Sequence, residues 1–268
     1  MKNIILILLL CSSLFSKNDV TELDNEKVSL QLKWFHQFQF AGYYIAKEKG
    51  FYEAVGLDVE IKERNIKLDN ILQVTKGESE YGVADTSLLI YRSRKQPVVL
   101  VAPILQHSPS VLITLKKTLI DTPYNLNQKK ILFYKKDIDG MGILAMLNSL
   151  DVKPQISRIK QGNDYNLLIN GEVDAYTGYI TNEPYYLKEN NLDINIINPA
   201  NYGFDFYGDM LFTNDFEAQN YPDRVQRFKE ATIKGWKYAL KYKEETIQLI
   251  KDKYAKNKSV KHLRYEAD

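Results

Sequence analysis

Residues 32–61 read LKWFHQFQFAGYYIAKEKGFYEAVGLDVEI, and the parsing of this stretch decides the fold. Leading into it, Val28-Ser-Leu-Gln-Leu-Lys33 alternates apolar and polar residues with a period of two, the pattern of a half-buried strand. Ala41 to Lys49 carries an apolar stripe at helical spacing, Gly50 and Gly56 punctuate the chain, and Leu57-Asp-Val-Glu-Ile61 alternates again. Strand, helix and strand in so short a span make a βαβ unit, whose two strands run parallel beneath the crossover helix. The same stretch holds one tryptophan, four phenylalanines and three tyrosines. They serve either as core, because aromatics bury large apolar area, or in part as a stacking site for a flat ligand.

The alternation continues outward. Periodicity predicts a helix around Asn70 to Lys76, a strand Tyr81-Gly-Val-Ala84, a helix from Thr86 to Arg94 and a strand Val98-Val-Leu-Val-Ala102. A second cycle follows the polar connection Asp121-Thr-Pro-Tyr-Asn125. It comprises strand Lys130–Tyr134, helix Gly140–Leu150, strand Gln155–Ile159, helix Asp164–Asn170 and strand Val173–Thr177. Thr181 or Asn182 is placed to cap the next helix, with Pro184 in its first turn. Beyond Asp209-Met-Leu-Phe-Thr213 the chain reads as helical. One long amphipathic helix carries Val225, Phe228, Thr232, Trp236 and Ala239 on a single face. These two cycles predict mainly parallel sheets with helices on both faces, in a bilobal α/β fold with a two-crossover hinge. The expected crossovers are Ser110-Val-Leu-Ile-Thr114 and Met210-Leu-Phe-Thr213. Lobe 1 is then 28–113 with 214–268, and lobe 2 is 114–213.

Composition limits the function classes. With 268 residues, 44% apolar and 26% charged, the chain can bury a core of one large or two smaller domains and is not a disordered tail. The 36 basic and 34 acidic residues give a net charge of +2, which offers no electrostatic case for nucleic acid. Lys241 to Arg264 is locally basic and reads as a solvated helix face. Lys2, the apolar run Ile4 to Leu10, and Ser12, Ser13 and Ser16 follow the plan of a secretory signal peptide over residues 1–16, too short to span a bilayer. Export to the periplasm is expected. Cys11, the single cysteine, lies in that segment, so cleavage beyond it leaves no thiol. Acylation of Cys11 is the weaker reading, since Leu10 stands where a lipoprotein signal wants a small residue. At the other end, 262–268 read as the opening turns of a helix with no stop signal, so the sequence is expected to continue into a longer protein.

Several motifs together point to a family: Leu32-Lys-Trp-Phe35 with Ala41-Gly-Tyr-Tyr44, Lys49-Gly-Phe-Tyr-Glu53 with Gly56-Leu-Asp-Val-Glu60, Tyr81-Gly-Val-Ala84, and Gly171-Glu-Val-Asp-Ala175 with Asn182-Glu-Pro184. On these, residues 28–268 resemble the thiamine-pyrimidine-synthase-like, SsuA-type periplasmic solute-binding domains. The resemblance implies a type II periplasmic-binding-protein fold. It also implies capture of a small heteroaromatic or amine-bearing ligand, a pyrimidine thiamine precursor favoured, for uptake through an ABC permease. Asn201-Tyr-Gly-Phe-Asp-Phe-Tyr-Gly-Asp209 looks like members that serve as input domains of membrane signalling proteins, a histidine kinase or a cyclase, and this is the alternative. The synthase members use pyridoxal phosphate with a lysine and a histidine in the segment matching Tyr81 to Leu89, and a cysteine-rich loop. Here that segment reads YGVADTSLL and residues 201–209 hold no cysteine, so the chain reads as a non-enzyme without a cofactor.

Candidate contacts follow from where ligands sit in such sheets, at the carboxyl ends of strands. Trp34 and Phe35 lie just past the first strand, and the indole is expected to stack on the ligand. His36 in the same loop either bonds the ligand or caps the loop. Phe40, Tyr43 and Tyr44 share a helix face, so Tyr44 is either a contact or core. Asp85, with Thr86 and Ser87, opens a helix after a strand and either binds ligand or serves as a plain N-cap. Glu183 can accept from an amino group of a pyrimidine or an amine. Gln106, Asp139, Tyr179, Tyr207 and Asp209 fall in strand-end or hinge loops as further candidates. His36, His107 and His262 lack metal-ligand spacing, and Gly140-Met-Gly142 is too short a pattern for a dinucleotide site.

Overall fold

The computed structural model describes residues 25–133, 140–158 and 165–268. The expected signal segment, Asp139 and the outer ends of the elements expected at Tyr134, Ile159 and Asp164 lie outside the described residues.

Among the described residues, ten strands form two five-stranded sheets. The first holds β1 (Glu26–Gln31), β2 (Leu57–Lys62), β3 (Tyr81–Ala84), β4 (Val98–Pro103) and β10 (Met210–Asn214), in the order β2-β1-β3-β10-β4. The second holds β5 (Ser110–Leu115), β6 (Lys130–Phe133), β7 (Gln155–Arg158), β8 (Ala175–Tyr179) and β9 (Ile194–Ile197), in the order β7-β6-β8-β5-β9. The fold is a bilobal periplasmic-binding-protein architecture. The opening βαβ unit stands as read: β1 and β2 pair in parallel along their full length, Glu26 opposite Leu57 through Gln31 opposite Lys62.

Both sheets are mixed rather than mainly parallel. β10 runs antiparallel to β3 and β4, and β5 antiparallel to β8 and β9. The cause is geometric. In each sheet the other strands point their carboxyl ends at the facing lobe, whereas β5 and β10 arrive from that lobe and must run the opposite way. Ser110–Thr114 and Met210–Thr213, expected to cross between lobes, are therefore full sheet members. The crossings themselves are 104–109 and 198–209. They are fastened side by side: Ile104 and Leu105 N–H both donate to the Asp209 carbonyl at 2.9 Å, Gly208 N–H donates to the Leu105 carbonyl at 2.8 Å, and His107 Nδ1 lies 2.6 Å from Asp205 Oδ2. A side chain at Gly208 would meet Pro109 Cδ at 2.8 Å and Leu105 Cβ at 2.9 Å, so only glycine lets the crossings approach this closely.

Helices cover both faces of each sheet. On the first, α1 (Ala41–Glu48), α8 (Pro222–Lys241), α9 (Lys243–Lys253) and α10 (Val260–Ala267) pack on one face. α2 (Asn70–Thr75) and α3 (Leu88–Ser93) pack on the other, and α7 (Asp215–Asn220) leads from β10 into α8. The long helix is anchored by Phe228, whose ring stacks on Tyr81 at 3.8 Å and Tyr52 at 4.8 Å between centroids. On the second sheet, α4 (Met141–Ser149) lies against one face, and α5 (Tyr165–Ile169) with α6 (Glu183–Glu189) against the other. Asp69, Asn214 and Ser259 each cap a helix by accepting from backbone N–H groups in its first turn. Asn182 stands at the N-cap of α6 but its side chain makes no cap bond there.

Candidate ligand site

The carboxyl ends of β1, β3 and β8 face one another across a cleft of about 700 Å³, including the solvent at its mouth. Trp34, Arg64 and Asp85 line it from the first lobe, and Tyr179, Asn182 and Glu183 from the second.

Lys33, immediately past β1, organises the floor. Its ammonium donates to Asp85 Oδ2 at 2.6 Å and to the Tyr179 hydroxyl at 2.7 Å, and lies 3.3 Å from Asp209 Oδ1. The Tyr179 hydroxyl donates in turn to Asp209 Oδ1 at 3.1 Å, and Gln39 Nε2 donates to Asp209 Oδ2 at 2.6 Å. One lysine thus ties the first lobe, the second lobe and the return crossing together. Burial works against its charge, but Asp85, Tyr179 and Asp209 hold it protonated well above the ordinary lysine range. Burial likewise pushes the Asp85 carboxyl up, and the Lys33 ammonium with Ser87 outweighs it and brings the group down to about 2. Asp209 moves the other way, because its burial outweighs the pull of Lys33.

Trp34 and Arg64 make the opposite wall. The Arg64 guanidinium lies 5.9 Å from the indole centroid, within cation–π range, and donates to the Lys33 carbonyl at 2.8 Å. From the second lobe, Glu183 Oε2 accepts from Tyr179 N–H at 2.6 Å and Glu183 Oε1 from Asn182 Nδ2 at 2.7 Å. Burial raises the pKa of this carboxyl against those donors.

The structure sorts the expected contacts. Trp34, Asp85, Tyr179 and Glu183 line the cleft, and Asp209 sits beneath it. Tyr44 does not reach it: the side chain is fully buried, stacked on Tyr254 at 4.0 Å and bonded to His36 Nδ1 at 2.8 Å. The partner ring comes from the C-cap of α9, far along the chain, so the helix face that carries Tyr44 is core. His36 takes the loop role, with its N–H on Glu63 Oε1 at 2.7 Å and its ring on Tyr44. Phe35 is half-exposed at the edge of the Trp34 ring, and Thr86 donates to the Tyr207 carbonyl at 2.7 Å, fastening α3 to the return crossing. Tyr207 and Gln106 are exposed on the crossings, outside the lining. Sequence reasoning missed Lys33, Arg64 and Asn182. For Lys33 the signal was present, a lysine directly at the carboxyl end of the first strand.

Behind Asn182 lies a second polar group. Asn182 Oδ1 accepts from Lys258 Nζ at 2.8 Å and meets His262 Nε2 at 2.9 Å, while Lys258 also pairs with Glu266. Burial first, and then the Lys258 ammonium, push the His262 imidazole down to about 4. The unfolded chain protonates this ring near 6.5, while the folded protein keeps it neutral, so its contribution is whole above 6.5 and is lost as pH falls toward about 4. Solvent reaching the ring screens part of this, so the loss at the acid end is about 1–2 kcal/mol. Unfolding free energies of the wild type and His262→Phe, measured at about pH 7.5 and about pH 4.5, should converge on the acid side. A gap independent of pH would remove the titration of this ring from the stability of the fold.

Comparison with known proteins adds an independent observation. The family model described as NMT1/THI5 like matches residues 37–246. A formylaminopyrimidine-binding protein of Halalkalibacterium halodurans is 24% identical over 230 residues, covering 84% of this chain and 70% of that protein. The riboflavin-binding protein RibY of Chloroflexus aurantiacus is 23% identical over 236 residues, covering 84% of this chain and 65% of that protein. Among solved structures, the alkanesulfonate-binding protein SsuA of Xanthomonas axonopodis pv. citri, bound to MOPS, superposes with a TM-score of 0.70 at 13% identity, covering 90% of this chain and 83% of that one. At that identity the likeness is one of fold.

Proposed function

The chain belongs to the NMT1/THI5-like family, and from that premise we propose that it is a non-catalytic solute-binding protein for a small heteroaromatic molecule, a pyrimidine of the formylaminopyrimidine kind. The observation that carries the reading is the pairing across the cleft. Trp34 and Arg64 line one wall, where a flat ring can stack, and Glu183, Asn182 and Tyr179 line the other, where ring substituents can hydrogen-bond. The named relatives are binding proteins, which supports a non-enzyme and gives the signalling alternative no support. Delivery to an ABC permease from the periplasm belongs to the same proposal, supported by the solute-binding neighbours. Flavin is the second reading. It is favoured by the riboflavin-binding relative, and an isoalloxazine would use the same Trp34 wall.

The test is a thermal-shift panel of formylaminopyrimidine, riboflavin and MOPS. A ligand at about a hundred times its Kd stabilises the folded state by about 2.7 kcal/mol, a readily visible rise in Tm. Formylaminopyrimidine should produce it. A rise with MOPS alone would sink the heteroaromatic reading. Pyridoxal phosphate, added to the protein, should give neither a Schiff-base absorbance band nor a pyrimidine product, and either one would restore the synthase reading.

Trp34→Ala should weaken binding of the pyrimidine by about 1–3 kcal/mol, the usual contribution of one aromatic stacking face to a bound base. Titration calorimetry against the wild type measures it. Unchanged affinity would move the ring away from Trp34.

A further inference from the structure

Asn182 is buried, stands at the N-cap of α6, and uses its side chain for something other than capping. Its amide oxygen takes Lys258 at 2.8 Å and His262 at 2.9 Å, and its amide nitrogen gives to Glu183 Oε1 at 2.7 Å. An ammonium can only donate, so Lys258 dictates which end of the amide faces it. The oxygen must point to Lys258, and the NH₂ is thereby aimed at the Glu183 carboxylate. Were the amide reversed, its oxygen would face a carboxylate and its NH₂ an ammonium, two repulsive contacts at a buried amide.

Lys258 and His262 belong to the far end of the chain, on and just before α10, which packs on the first lobe. Leu263 is fully buried there, Phe38 N–H donates to Glu266 Oε2 at 2.7 Å, and Lys258 also donates to Gln37 Oε1 at 2.9 Å. Toward the second lobe the same helix stacks His262 on Tyr185 at 4.3 Å between centroids, and Tyr265 donates to the Ile180 carbonyl at 3.3 Å. α10 is therefore a further connection between the lobes, beside the two crossings and the Lys33–Tyr179 bond, and its N-terminal end meets Asn182, the residue that orients Glu183.

We propose that Lys258 and His262 are positioning residues of the ligand cleft: from a helix of the first lobe they fix the amide of Asn182, and through it the Glu183 carboxylate of the second lobe, in the orientation that receives the ligand. The ligand part of this inference rests on the proposed function. The orientation of Asn182 and Glu183 does not.

Two arms keep the failures apart. In the ligand-free protein, Lys258→Met frees the Asn182 amide to rotate, so amide hydrogen exchange at Tyr179, whose N–H is held by Glu183 Oε2, should speed up by about tenfold or more, the equilibrium change that goes with one charge-assisted hydrogen bond. Exchange in β1 and β2 should stay as in the wild type. His262→Phe, which keeps a ring against Tyr185, should show a smaller rise, and Lys258→Arg, which retains a donor, should restore protection. In the second arm, formylaminopyrimidine affinity should fall by about tenfold in Lys258→Met and recover in Lys258→Arg. Unchanged Tyr179 exchange in both Lys258→Met and His262→Phe overturns the proposal, as does faster exchange with unchanged affinity. Faster exchange also in β1 and β2 means general loosening and overturns it too. If formylaminopyrimidine fails to bind the wild type, the proposed function falls, and the exchange arm alone decides the orientation of Asn182.

Discussion

Replacing Lys33 with methionine is expected to destabilise the protein by about 3–5 kcal/mol at neutral pH, the usual cost of removing one member of a buried ionic group. Two carboxylates depend on this ammonium. Asp209 is only 2% exposed and Asp85 is half-buried, and both lose their cation at once. The stabilisation by Lys33 is fully present below its ordinary 10.5 and fades only as pH rises through its higher folded value. That of Asp85 is present above its ordinary 3.8 and fades as pH falls through about 2. Near neutrality, then, neither contribution is diminished. Asp209 behaves oppositely. Its folded pKa is raised, so its buried charge costs stability at neutral pH and protonation relieves that cost. In Lys33→Met the relief should begin at higher pH, so the deficit should shrink as the solution is acidified, and adding Asp209→Asn should recover part of it. Urea unfolding of the single and double variants measures all of this. A deficit under about 1 kcal/mol would mean that the three groups are screened like a surface pair.

The fold was legible where the chain obeys a local period. The alternation of Val28 to Lys33 and Leu57 to Ile61 set the parallel pair β1–β2, because side-chain period follows from backbone geometry alone. Strand direction has no such local signature. Ser110–Leu115 and Met210–Asn214 carry the same apolar run whichever way they enter a sheet, so their membership and reversed direction could be seen only with both sheets in place. β9 escaped notice because Ile194-Asn-Ile-Ile197 is short and mostly half-buried at a sheet edge. The site divides in the same way. Trp34, Asp85, Tyr179 and Glu183 were visible as strand-end or helix-start residues, where ligands of open sheets sit. Arg64 and Asn182 were not, because a lone arginine in a loop and an asparagine at an N-cap have ordinary explanations. What sets them apart are their partners, Trp34 in one case and Lys258 in the other, the second 76 residues away. Tyr44 failed for the converse reason, since a helix face shows that a residue is covered without showing by what.

Gly235→Ala is expected to cost about 3 kcal/mol, the upper end of what overpacking a close contact costs. The sign is the informative part, because glycine to alanine inside an exposed helix stabilises by about 0.5–1 kcal/mol through chain entropy. Gly235 lies in α8 where it crosses α1, and an added Cβ would stand 2.1 Å from the Gly42 carbonyl oxygen and 2.8 Å from the Ala46 Cβ. A carbonyl held in α1 cannot turn aside, so the helices must part. The reciprocal glycine meets a different obstacle: a Cβ on Gly42 would lie 2.1 Å from Trp236 Cγ and 2.3 Å from Trp236 Cδ1. That difference makes a discriminating cycle. Trp236→Ala should offset much of the cost of Gly42→Ala, a coupling above about 1 kcal/mol, yet leave the cost of Gly235→Ala unchanged within about 0.5 kcal/mol. The face of α8 that the sequence assigns to the core by spacing is thus held in place by two missing side chains as much as by Phe228 and Trp236. If Gly235→Ala proves neutral or stabilising, the two helices do not approach this closely in solution, and the packing of α8 on α1 must be drawn differently.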